Sequence, residues 1–234
     1  MTDLFDKCWI CGGLATTGEH KTKRSDLREV FGAPTQSAPI FYHDGIRKNR
    51  RLGSLNADVL KSSARLCANC NNARTQPYDF AWAAFSKALR KRQPKLTAGM
   101  SFRANTVFPY DTARQMLFIH LYFVKLFGCH IEAFGMSLDI KGFSSAILNN
   151  SAHPNVYLKF VVNEDKLVGS SDVWLSVPLT DGLSSFATWY YWLDKLGVNV
   201  MFALASERRQ GLHGAWHPRC GTNRLAIGDF HFTG

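Results

Sequence analysis

Two pairs of cysteines, each with the spacing Cys-x-x-Cys, constrain this chain more than any other feature of its sequence. The pairs are Cys8 with Cys11 and Cys67 with Cys70. Each turn presents two thiolates, so the two together supply the four sulfur ligands of a structural zinc site, for which tetrahedral coordination is typical. The alternative is paired free thiols in a reducing compartment. Zinc binding would tie the N-terminus to the segment around residue 70.

The separation between the two pairs is large for a zinc ribbon. About 15–20 residues separate the pairs in an ordinary ribbon, whereas residues 12–66, which are 55 residues, intervene here. A segment of this length can carry structure and chemistry of its own. It contains Glu19-His20, and Asn71-Asn72 follows the second pair at once.

Local patterns around the cysteines predict short elements and one amphipathic helix. Residues 14–20 are compatible with a strand, residues 25–31 with a short helix capped by Ser25 and closed by Gly32, and residues 40–42 with a brief strand. After the second pair, apolar residues recur at helical spacing. Phe80 belongs to one row of this pattern, and Trp82, Phe85 and Leu89 form the neighbouring row.

Positive charge is concentrated in the first part of the chain. Residues 1–98 hold 17 Lys and Arg against 8 Asp and Glu, a net charge of +9, while residues 99–234 hold 11 against 10, a net charge of +1. A basic patch favours a polyanion such as DNA, and RNA equally, because each neutralised phosphate releases counterions. The alternative is a solvated basic face. The change in composition predicts two domains, residues 1–98 and residues 99–234.

The second half of the chain is aromatic, apolar and nearly balanced in charge. Its patterns predict an α+β domain with a long buried helix over residues 112–131, strands over residues 155–163, 172–177 and 198–205, and a Trp- and Tyr-rich helix over residues 184–196. Its apolar surface would allow a homodimer or a protein partner. We interpret the run from Trp189 to Trp192 as packing or partner contact.

Three further features bear on location and on other sites. The N-terminus lacks the pattern of a signal peptide, and His120, Lys125 and His130 interrupt the apolar stretch over residues 115–131, so we expect a soluble cytoplasmic protein without a membrane span. His213, His217 and Cys220 have metal-like spacing, but a fourth ligand is missing and we expect a loop. Cys129, next to His130, is expected to pack as a small apolar side chain.

The motifs in the first part of the chain resemble those of the HNH nuclease family, in its four-cysteine branch. That family's pattern is Cys-x-x-Cys, an acidic residue followed by His, and a second Cys-x-x-Cys followed by Asn or His. It is present here as the two cysteine pairs, Glu19-His20 and Asn71. The resemblance covers about residues 8–85. It implies a zinc-stapled ββα-metal nuclease domain within residues 1–98, while the mixed α/β C-terminal domain that would follow rests on the composition and patterns of residues 99–234.

The resemblance also implies roles for single residues. His20 would be the general base that takes a proton from the attacking water. Glu19 and Asn71, with Asn72 as a candidate further ligand, would hold Mg²⁺ or Mn²⁺, while the zinc would be structural. The basic residues that would contact DNA phosphates, unless they serve only solubility, are Lys21, Lys23, Arg24, Arg28 and Arg74.

One part of the family pattern is absent. Many members carry an Asn about five residues before the third cysteine, which orients the loop of the histidine, and this chain has Ser62 and Ser63 there. Either Asn56 or the backbone would have to replace it. Asp79 is expected to be a helix N-terminal residue favoured by the helix dipole rather than a metal ligand.

These patterns favour a metal-dependent endonuclease that hydrolyses phosphodiester bonds in DNA, with the C-terminal domain serving targeting, oligomerisation or partner binding. The first alternative is a non-catalytic zinc module that binds nucleic acid. The second is a nuclease effector subunit of a phage-defence or mobile-element system, held inactive by a partner.

Overall fold

The computed structural model describes residues 7–92, 95–207, 212–221 and 224–230 and has a mixed α and β fold, as the sequence predicted. The helices and strands follow in the order α1 (Arg24–Phe31), β1 (Ile40–Tyr42), β2 (Arg50–Leu52), α2 (Gln76–Lys91), β3 (Ser101–Arg103), α3 (Thr112–Phe134), α4 (Ile140–Leu148), β4 (Val156–Ser170), β5 (Trp174–Leu175), β6 (Phe186–Ala203) and β7 (Arg224–Asp229). Helix α1 ends at Gly32, as predicted, whereas its N-cap is Lys23 rather than Ser25.

The first part of the chain is built on an antiparallel pairing of extended segments followed by a helix. Isolated bridges join Leu66 to Thr17 and Lys61 to His20, and the Ser62 N–H donates to the Glu19 carbonyl at 2.7 Å. Residues 14–20 pair only at isolated bridges, so this segment is extended but does not form the regular strand that was predicted. A π-helical turn over Asn69–Ala73 then leads into α2.

A five-stranded sheet in the order β3-β7-β4-β6-β5 forms the second layer of the fold. Strands β4 and β7 are parallel, and the other neighbours are antiparallel. The long strands β4 and β6 pair from Val156 opposite Phe202 to Ser170 opposite Tyr191, with a bulge between Val162 and Leu167. Bulges of this kind bend a strand and increase its twist.

The predicted helix over residues 184–196 is wrong, because this segment belongs to strand β6. Side chains alternate between the two faces of a strand. Trp189 and Tyr191 therefore point into the core, where both are fully buried, while Tyr190 and Trp192 stack on each other on the opposite face at a centroid distance of 5.7 Å. Aromatic residues on both faces remove the polar alternation that marks a half-exposed strand.

Helix α3 is the centre of the core. It is long and apolar enough to cross a membrane, but 72% of its most apolar window is buried in the protein, as in the core helix of a soluble protein. It packs on α2, whose Trp82 ring contacts Tyr122 and Phe123 of α3 and Tyr191 of β6. One apolar cluster thus includes residues from both sides of position 98. The buried face of α2 is the row of Trp82, whereas Phe80 on the neighbouring row is exposed.

Candidate functional site

The four cysteines predicted to bind zinc lie together. The sulfur atoms of Cys8, Cys11, Cys67 and Cys70 are all within 4.8 Å of one another, and the sulfurs of Cys11 and Cys67 are 3.6 Å apart. Tetrahedral zinc with Zn–S bonds of about 2.3 Å places its sulfurs about 3.8 Å apart. The donor set and its spacing therefore fit a zinc ion.

The turns that carry these cysteines are shaped for thiolate ligands. The N–H of Gly12 donates to the Cys8 carbonyl at 2.8 Å, which closes the first turn. In the second turn the Cys70 N–H donates to the Cys67 sulfur at 3.3 Å, and this bond lowers the pKa of the Cys67 thiol to about 7. Cys8 and Cys70 are buried, whereas Cys11 is exposed. The cluster therefore lies at the edge of the core with one open side.

A close contact attaches the first cysteine turn to the core helix. Trp9 lies between Cys8 and Cys11 in sequence, and its ring covers Gly128 of α3. A Cβ atom added at Gly128 would lie 2.2 Å from the nearest ring atom of Trp9. A side chain at residue 128 would displace the Trp9 ring, so glycine at this position allows the first cysteine turn to pack closely on α3.

His20 lies on the extended segment that pairs with residue 61, and its ring is half-buried. Its Nε2 atom is 3.3 Å from the carbonyl oxygen of Leu55. In the tautomer that this contact favours, Nε2–H donates to the carbonyl and Nδ1 keeps its lone pair. A backbone carbonyl from the loop between the cysteine pairs therefore orients the ring.

Glu19 is held by a residue that the sequence patterns did not single out as functional. Its Oε2 atom forms an ion pair with the ammonium group of Lys125, which is 2% exposed in the middle of α3. The Lys125 Nζ atom is also 3.4 Å from the carbonyl of Asn71. The sequence signal for this contact was a lysine that interrupts an apolar stretch, and it did not identify the partner, which lies 106 positions away (125 minus 19).

The ion pair belongs to a larger group of charges under α2. Burial disfavours the Lys125 ammonium, but the carboxylates of Glu19 and Asp79 outweigh it and raise its pKa. Burial raises the pKa of Asp79, which lies in the first turn of α2, and lowers the pKa of Lys23, whose ammonium is 3.9 Å from the Asp79 carboxylate. Asp26, whose pKa burial also raises, accepts hydrogen bonds from the side chains of Trp82 and Tyr191. Three carboxyl groups therefore lie close to two ammonium groups.

The two asparagines after Cys70 differ in exposure. Asn71 donates its side-chain N–H to the Gly18 carbonyl at 3.2 Å, next to Glu19, which leaves its Oδ1 atom as a ligand atom. Asn72 is exposed. The structure thus brings Asn71 to the Glu19 segment by a direct hydrogen bond.

The basic residues predicted to contact phosphate fall into two groups. Arg24 and Arg28 are exposed on α1, and Lys21 is half-buried beside His20. Lys23 is engaged with Asp79, and Arg74 donates to the carbonyl of Leu148 in α4 at 3.4 Å. Arg24, Arg28 and Lys21 are therefore accessible to a phosphate. Lys23 and Arg74 also have a structural partner.

The remaining candidate residues from the sequence are hydrogen-bonded to the backbone, part of a turn or buried in the core. The ring of His217 is bonded to the backbone of His153 and of Arg219, in a short turn that includes Cys220. Cys129 is buried in α3. Within the described ranges, the only side chains that converge in a metal-like group are the four cysteines.

Comparisons with family models, curated proteins and solved structures found no match to this chain.

Proposed function

We propose that this protein is a metal-dependent endonuclease of the HNH type that hydrolyses phosphodiester bonds in DNA. The observation that carries the proposal is the placement of His20. It lies on an extended segment that pairs with the segment before the third cysteine, its ring is oriented by the Leu55 carbonyl, and the four cysteines brace the same segments. Two antiparallel segments and a following helix, α2, are also the order of a ββα-metal domain.

His20 is the general base in this proposal. With Nε2–H donating to the Leu55 carbonyl, Nδ1 is the atom that accepts a proton from the attacking water. The carbonyl takes the place of the asparagine that many HNH proteins use, and neither Ser62 nor Ser63 is needed for the task. A cavity of about 10 Å³, the size of about one water molecule, lies between His20, Glu19 and Cys129.

In this proposal a Mg²⁺ or Mn²⁺ ion would be held by residues beside His20. Lys125 contacts Oε2 of Glu19, so Oε1 is left as a ligand atom together with Oδ1 of Asn71, and exposed Asn72 is a candidate third. When bound, the ion would supply positive charge to the phosphate and to the leaving oxygen. Arg24, Arg28 and Lys21 would bind the neighbouring phosphates.

The test is plasmid cleavage in Mg²⁺ or Mn²⁺ by the wild-type protein and by His20→Ala. Loss of a general base is expected to slow cleavage by about 100- to 10,000-fold. His213→Ala is the matched control, because His213 is exposed and distant in sequence from the cysteines. It should cleave like the wild type. Equal rates for His20→Ala and the wild type would refute the role of His20.

A second candidate function is a zinc-stabilised module that binds nucleic acid without cutting it. The ion pair between Glu19 and Lys125 favours it, because a lysine already neutralises the carboxylate that the nuclease needs for a metal. This function predicts salt-dependent DNA binding, unchanged in His20→Ala, and no cleavage with any divalent ion. Under either function we propose a cytoplasmic location, where the thiols stay reduced for zinc.

A further inference from the structure

A cavity of about 340 Å³ lies next to the proposed cutting site and has no part in the mechanism above. Its walls come from the segment after His20, from α1, from strand β1 and from the bulged part of β4 facing β6. This volume is within the range of about 300–1,000 Å³ that is typical of sites for small organic groups. The cavity is open to solvent on one side, since the Phe41 side chain on its wall is 58% exposed.

Four of the fifteen described residues that line the cavity are Phe, Tyr or Trp. Phe31 of α1, Phe41 and Tyr42 of β1, and Trp192 of β6 all line the space. Phe31 and Phe41 remain largely exposed, although such side chains are usually buried in a soluble protein. Flat rings of this kind are the surfaces on which nucleic-acid bases stack.

Positive charge surrounds the aromatic walls. Lys21 lines the cavity, and in the pairing of β1 with β2 Arg51 lies opposite Phe41 and Arg50 opposite Tyr42. Both arginines are exposed. Among the described residues that line the cavity, none carries a carboxylate. The surroundings therefore suit the phosphates on either side of a stacked base.

The cavity and the proposed cutting site share a residue. Lys21 follows His20 directly and lines both the large cavity and the one-water cavity beside His20. The two cavities are therefore adjacent. The two sites are close enough for one bound strand to occupy both.

We propose that this cavity binds an unpaired base of single-stranded DNA next to the phosphate that is cut. The inference rests on the proposed function and narrows its substrate class to DNA with an unpaired nucleotide, such as a single strand, a flap or a base turned out of a duplex. A paired base remains stacked within the helix and cannot enter without an unstacking cost. The cavity would then favour single strands over duplex.

The test measures binding of a short fluorescein-labelled DNA by anisotropy, without added divalent ions. His20→Ala is the starting protein so that cutting cannot interfere. The labelled strand is used alone, as a duplex, and as RNA of the same sequence. Phe41→Ala in this protein removes an exposed ring, and Tyr110→Ala is the matched control, since Tyr110 is fully exposed and outside the cavity.

Single-stranded DNA is expected to bind more tightly than duplex, and Phe41→Ala should weaken this binding at least about fivefold. Phe41→Trp should keep it, and Tyr110→Ala should have no effect. Affinity for single strands that is equal in Phe41→Ala, or that is no better than for duplex, would overturn the inference. Tighter binding of RNA than of DNA would overturn the choice of DNA.

This result is separate from that of the cleavage assay. If the wild-type protein cuts plasmid but Phe41→Ala binds single strands normally, the proposed nuclease activity stands and the proposed base site is refuted. A protein that cuts neither plasmid nor the labelled single strand in Mg²⁺ or Mn²⁺, but loses single-strand binding in Phe41→Ala, keeps the base site and removes the nuclease.

Discussion

If the four-cysteine cluster binds zinc as proposed, loss of the metal should destabilise the protein, and the length of chain between its ligands sets the size of the effect. The site links positions 11 and 67, which are 56 residues apart. Treated as a cross-link that closes a loop of this length, the site restricts the unfolded chain by about 4 kcal/mol. For a protein of this size that corresponds to a decrease in melting temperature of about 8–16 °C.

The perturbation is Cys70→Ser, because the Cys70 side chain is fully buried and lies nearest the start of α2. The measurements are the zinc content of the purified protein and urea unfolding followed by tryptophan fluorescence. Cys220→Ser is the control, since that thiol is exposed and outside the cluster. We expect one zinc per chain in the wild type and in the control. A wild-type protein with well under one zinc per chain, or with the same unfolding free energy in Cys70→Ser, would refute the argument.

Three further predictions concern the residues that support the site. Lys125→Met should lower the free energy of unfolding by about 3–5 kcal/mol, because it leaves the solvent-shielded Oε2 atom of Glu19 without its ionic partner. Gly128→Ala should displace Trp9 and lower stability by about 1–3 kcal/mol, together with a loss of zinc affinity. His153 is buried with its pKa lowered to about 4 by burial, so its neutral form contributes about 3 kcal/mol. That contribution is present above about pH 6.5, the usual value for histidine, and is lost as the pH falls towards 4.

Each of these has its own control. Lys61→Met removes an exposed ion pair with Asp58 and should cost less than about 1 kcal/mol, so an equal loss in both lysine variants would contradict the burial argument. For Gly128→Ala, an unchanged zinc content and an unchanged free energy of unfolding would show that the Trp9 ring can move without loss of stability. His153→Gln should flatten the pH dependence of the unfolding free energy between pH 6.5 and 4, and an unaltered slope would show that this histidine does not cause it.

Sequence patterns predicted the parts of this fold that depend on local spacing. The four-cysteine cluster, helices α1 and α2 and the long helix α3 follow from ligand spacing and from helical periodicity. Strand β6 did not, because its aromatic side chains lie on both faces and no polar alternation marks the segment. The sequence did not identify the group that orients His20, because either Asn56 or the backbone could do so. In the structure it is the carbonyl of Leu55.

The contacts made by Lys125 and the aromatic cavity could not be predicted from spacing. Lys125 meets Glu19 only because α3 packs against the N-terminal segment, and the cavity forms only where β1 faces the bulge of β4. Such features depend on tertiary packing, and in the sequence they look like a charged interruption in a helix and like scattered aromatic residues. The nuclease role of His20 stays a prediction for the cleavage assay.

The contact between Lys125 and Glu19 also limits how the first half of the chain can be used. Lys125, which pairs with Glu19, and Gly128, on which the Trp9 ring lies, both belong to α3, beyond residue 98. A fragment cut at that position would present a bare carboxylate and an uncovered indole to water. The cysteine-containing segment therefore depends on α3, and a version transferred to another protein would have to include that helix.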